Sequence, residues 1–102
     1  MFIARVCGNV VITQKVPKMA GKKLLVVEPL RVDEKNQTVG PTGRSLVAID
    51  QLGAGLEDVV LVAQGSSARM TDFTSDVPCD CVIVGIIDAV TAVGKTVYQK
   101  SK

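Results

Sequence analysis

Residues 46–71 read LVAIDQLGAGLEDVVLVAQGSSARMT, and two short apolar segments, Leu46–Asp50 and Val59–Ala63, bracket a Gly53-Ala54-Gly55 turn. Apolar runs of that length, bounded by turn residues, are strand signals. Glycine takes positive φ at little cost and lets another backbone come close. A Gly-Ala-Gly turn between strands is therefore expected at a crowded junction where strands or neighbouring chains nearly touch, with an ordinary loop as the alternative. The stretch holds no recognisable catalytic group.

A second turn, Gly65-Ser66-Ser67-Ala68-Arg69, leaves the second strand. Serine there takes the N-cap position of a short helix over Ser67–Phe73, where its hydroxyl accepts a bond from a free backbone N–H. Helix N-termini also bind phosphate. The segment has neither a P-loop lysine nor the full dinucleotide fingerprint, so capping is the expected role. Arg69 is either a solvated charge or an intersubunit salt-bridge donor, a role its planar five-donor fork suits.

Elsewhere the pattern is mostly strand. Phe2, Ala4, Val6, Gly8, Val10 and Ile12 alternate with Ile3, Arg5, Cys7, Asn9 and Val11. That predicts one strand with an apolar face and a mixed face, the mixed face being available to a neighbouring subunit. Lys15–Lys22, with Pro17 and Gly21, reads as a loop before a buried strand at Leu24–Val27. Val32–Arg44 turns polar and predicts a projecting hairpin or loop. Beyond Pro78, Cys81–Ile87 and Ala89–Val93 read as strands, and 94–102 as a strand end with a polar tail. The class is all-β, a single domain over 1–102 with one short helix.

Composition bounds the function. A chain of 102 residues hides only roughly 60–70% of its unfolded surface on folding. Its 47% hydrophobic content exceeds what so small a core readily absorbs, and subunit association is the natural outlet. No apolar run approaches the roughly 18 residues of a membrane helix, and Arg5 and Asn9 interrupt any secretory signal. Cys7, Cys79 and Cys81 cannot all pair, and the odd count fits a reducing cytoplasm. Cys79 and Cys81, two apart, share one strand face and are expected as buried small hydrophobes, with thiols gathered by subunit symmetry as the alternative. With no histidine, a metal site and the usual nucleophile pairings lack their commonest member, so neither cofactor nor metal is expected. Asp50 and Asp88 are the remaining catalytic candidates, but an aspartate that ends a strand more often bonds turn amides.

The order and spacing of several short runs resemble the EutN/CcmL-type vertex proteins of bacterial microcompartment shells. The runs are Gly8-Asn9-Val10-Val11, Thr13-Gln14-Lys15, Gly21–Val27 with Pro29, and Val47–Asp50 with Gly53-Ala54-Gly55. They continue through Val59–Val62, Gly65–Arg69, Pro78, Asp80 and Val84–Asp88. The resemblance implies a small OB-like β-barrel that assembles as a cyclic pentamer. It implies no chemistry, a structural role at the five-fold corners of a carboxysome-like or catabolic shell, and hexameric shell proteins as partners. Lys15, Asp50, Gly53, Ala54, Gly55, Gly65, Ser66, Ser67, Ala68 and Arg69 carry the assembly and turn motifs it implies. The chain departs from the family at Leu56-Glu57-Asp58, where a further glycine usually precedes the acidic residue, and at Cys79 and Cys81, where small or aliphatic residues are usual.

The alternative reading is a single-stranded nucleic-acid-binding OB-fold, which needs a basic groove and stacking aromatics. The chain has only Phe2, Phe73 and Tyr98 and a net charge of +2. No nucleic acid and no membrane are expected as partners. A pore along the ring axis is a third possibility, since identical loops around an axis must leave an opening.

Overall fold

The computed structural model describes residues 1–33, 35, 38–65, 80–92 and 94–100. The predicted helix at Ser67–Phe73, and Pro78 and Cys79, lie outside the described residues. The strands are β1 (Phe2–Val10), β2 (Lys23–Asp33), β3 (Thr38–Pro41), β4 (Leu46–Asp50), β5 (Val59–Gln64), β6 (Cys81–Ile86), β7 (Ala89–Ala92) and β8 (Lys95–Gln99). A 3₁₀ turn, Pro17–Met19, interrupts the loop between β1 and β2.

Strands β1, β5, β6, β4 and β2 pair in that order, and β1 pairs again with β2, so the sheet closes into a five-stranded barrel. Among the described residues only β4 and β6 run parallel, meeting at Ile49 and Val82. This is the five-stranded Greek-key arrangement of OB-like proteins.

Two long strands serve several neighbours, β1 pairing with β2 and β5, and β2 with β1, β3 and β4. β1 gives Phe2–Arg5 to β5 and Ala4–Val10 to β2. β2 gives Lys23–Val27 to β4 and Leu30–Asp33 to β3. The predicted polar hairpin is this β2–β3 unit, closed where Thr42 donates from both N–H and hydroxyl to the Pro29 carbonyl. β7 and β8 form a separate two-stranded sheet.

The expected uninterrupted alternation along β1 does not hold. Val6 faces Val27, but Gly8 faces Val26, so Cys7 is an extra residue in a bulge. A one-residue insertion moves every later side chain to the opposite face. Ala4 and Val6 therefore join the barrel interior with Leu25, Val27, Val60, Val62 and Ile83. Val10 instead packs on a second cluster of Leu24, Ile49, Ala63 and Val82, reached also by Met19. Ile12, expected on the apolar face, lies beyond the strand end and is exposed. Cys7, placed by the alternation on the mixed face, is exposed too, because the bulge turns it outward; Cys81 is buried as expected.

Candidate functional site

The 51–58 connection crosses one end of the barrel, and Asp50 organises it. Register sets Lys23 of β2 opposite Asp50 of β4. Asp50 is 2% exposed, a placement that would cost several kcal/mol for an unpaired carboxylate. Its oxygens are both used: Oδ1 accepts the Leu52 N–H at 2.9 Å and Oδ2 the Ala54 N–H at 2.9 Å. Lys23 Nζ lies 3.8 Å from Oδ2 and donates to the Ala54 carbonyl at 3.3 Å. The strand-ending aspartate thus bonds turn amides, as expected.

These bonds fix the glycine turn. Gly53 takes φ +81°, which only glycine adopts freely. Ala54 is pulled inward and buried, capping the interior cluster. The predicted crowding is absent at the glycines themselves within one chain. A Cβ on Gly53 would meet nothing within 4 Å, and one on Gly55 only Asp58 Oδ2 at 3.7 Å.

A second turn follows at once. Asp58 N–H donates to the Gly55 carbonyl at 3.1 Å, and Gly55 N–H donates to Asp58 Oδ2 at 2.8 Å. Glu57, third in this turn, has φ +73° and is the one non-glycine at positive φ among the described residues. That is the type II position that glycine normally fills. It is also where the chain departs from the vertex-protein pattern, so the departure marked a real backbone constraint. Glu57 is held there because its N–H donates to the Val6 carbonyl at 2.8 Å, while Val6 N–H donates to the Asp58 carbonyl at 2.9 Å. Leu52 and Leu56, 51% and 66% exposed, project from this pinned segment.

A cleft of about 290 Å³ opens beside the turn among Asn9, Lys23, Leu25 and Leu56. It contains no nucleophile and base within reach of each other. Among the described residues no three His, Cys, Asp or Glu side chains gather as metal ligands. Lys15 is not brought to this turn. It lies in the exposed loop after β1, beside a separate cleft of about 200 Å³ with Val10, Met19 and Leu24. Gly65 has φ +67° and donates its N–H to the Asp80 carbonyl at 2.8 Å. Ser66, Ser67, Ala68 and Arg69 lie outside the described residues. Three features escaped sequence reading: the Lys23 partner of Asp50, the Cys7 bulge and the Glu57 backbone. Only the last left a sequence signal.

Comparison with known proteins decides the family. The family profile described as ethanolamine utilisation protein EutN/carboxysome matches residues 1–88. The chain belongs to the EutN/CcmL family. A carboxysome shell vertex protein, CcmL of Synechocystis, is 46% identical over 100 residues, covering 98% of this chain and 95% of that protein. The solved CcmL of Gloeobacter violaceus aligns with a TM-score of 0.86 at 40% identity over 98% of each chain. GrpN of Rhodospirillum rubrum, described as a pentameric microcompartment shell protein, aligns at 0.75 with 38% identity over 91% of this chain and 99% of its own. Family and relatives carry the names of structural shell components, not of enzymes. The profile ends just before β7, so the β7–β8 hairpin lies beyond the matched segment.

Proposed function

We propose that this EutN/CcmL-family chain is a vertex protein of a bacterial microcompartment shell, in which five copies close into a ring that caps a five-fold corner. The whole of 1–102 serves as one vertex domain, located in the shell within the cytoplasm, with no cofactor. The observation that carries this reading is the near full-length match to shell vertex proteins in both sequence and fold. The surface supports association independently. Val11, Val16, Val47, Leu52 and Leu56 are all exposed on the isolated chain, and apolar side chains left in water favour a partner.

The mechanism is geometric. Identical subunits in head-to-tail contact close when the rotation divides a full turn. A five-fold ring then supplies curvature that flat hexameric tiles cannot, and those tiles are the proposed neighbours. The pinned 51–58 connection supplies a rigid surface for such contact, and Lys15 and the Gly65–Arg69 run are further contact candidates.

The nucleic-acid reading has little physical support here. Phe2 packs against the barrel core, which withdraws it as a stacking platform, and Tyr98 is half-buried. Removal of this protein from its shell tests the proposal. Electron microscopy should show shells that are open or misshapen with their contents still active; closed polyhedral shells of normal shape would contradict it.

A further inference from the structure

Resting on the ring reading, we propose that Leu52, Leu56 and Glu57 form an apolar, acidic knob that each copy seats against the Lys15–Lys18 loop of the next copy. Glu57 holds an unfavourable backbone at φ +73°, and such strain persists where the surroundings over-determine it, commonly at functional positions. Yet its side chain does nothing for its own chain. It is exposed and, among the described residues, its carboxylate has no ion-pair or hydrogen-bond partner. The two flanking leucines are exposed on a segment already fixed by the Asp50 and Asp58 bonds. A rigid surface loses little entropy on docking.

The loop between β1 and β2 has the complementary character. Val11 is 82% exposed, Val16 is exposed, and Lys15 and Lys18 stand in solvent with no ion-pair partner among the described residues. It too is pre-shaped, since Met19 N–H donates to the Val16 carbonyl at 2.9 Å and Ala20 N–H to the Pro17 carbonyl at 3.0 Å. A cleft of about 200 Å³ beside the loop, lined by Val10, Val11, Met19 and Leu24 with Lys15 and Lys22, offers space for Leu56 with basic groups near Glu57. Each patch disfavours its own copy, because knob on knob sets Glu57 against Glu57 and loop on loop sets lysines together. Each favours the other, which enforces the head-to-tail contact a ring requires.

The test follows ring dissociation on dilution by mass photometry, with circular dichroism as the fold control. The charge reversals Glu57→Lys and Lys15→Glu/Lys18→Glu should each shift the dissociation midpoint about tenfold or more toward higher concentration at low salt. All three substitutions in one chain should restore it. Glu57→Gly should raise the thermal stability of the dissociated subunit, read below the dissociation midpoint where association no longer contributes, while weakening the ring, opposite movements that a purely structural role would not produce. An unchanged midpoint for Glu57→Lys, or no restoration by the triple variant, overturns the proposal. A wild-type chain that is monomeric at every concentration overturns the ring reading instead.

Discussion

Asp50→Asn isolates the carboxylate that holds the barrel-mouth turn. Asparagine fills the same space but offers one acceptor oxygen where aspartate offers two. One of the N–H groups now bonded at 2.9 Å, from Leu52 or Ala54, would then face an amide NH₂. Losing a bond to a charged acceptor costs about 1.5–3 kcal/mol. The Lys23 pair adds little, because that side chain is 53% exposed and exposed pairs are worth about 0–1 kcal/mol. The expected total is about 2–3 kcal/mol, a Tm drop of roughly 10–20 °C for a domain of this size. Urea denaturation at fixed protomer concentration measures it, since association couples to stability. Asp58→Asn is the comparator: Asp58 accepts one exposed N–H and pairs at 3.8 Å with the partly exposed Lys100, so its loss should stay below about 1 kcal/mol. Equal losses in the two variants, or a loss below about 0.5 kcal/mol for Asp50→Asn, would refute this account of the turn.

Glu57→Gly removes the Cβ clash of the left-handed backbone but frees the unfolded chain. The net gain in subunit stability should be about 0.5–1 kcal/mol by chemical denaturation, and a loss would show that the Glu57 side chain stabilises its own fold. Val62, fully buried inside the barrel, should cost about 2 kcal/mol on truncation to Ala, from two lost methyl groups and the cavity they leave. In a Cys79→Ser background, a thiol reagent should modify the exposed Cys7 well before the buried Cys81, read by peptide mass mapping. Faster reaction at Cys81 would contradict the bulge.

The parts legible from sequence are those set by local pattern. Leu46–Asp50 and the segment from Val59 read as strands because apolar residues run up to glycine and acidic breaks, and β4 and β5 follow those limits. The turn-bonding role of Asp50 followed from its place at a strand end. β2 extends to Asp33, beyond the expected strand Leu24–Val27, and runs through Pro29. The proline is tolerated where pairing with β1 ends at Ala4, so its missing N–H interrupts no later bond in that ladder. The bulge at Cys7 left no local trace, since a two-residue period assumes an unbroken pleat. Lys23 could be matched to Asp50 only through the β2–β4 register, a long-range property.

Absolute mass in solution tests the central claim most directly, measured by light scattering after size exclusion with reducing agent present to exclude adventitious disulfides at Cys7. The account predicts about 54 kDa, five times the 10.8 kDa subunit. A subunit mass of 10.8 kDa at every concentration would contradict the vertex function itself.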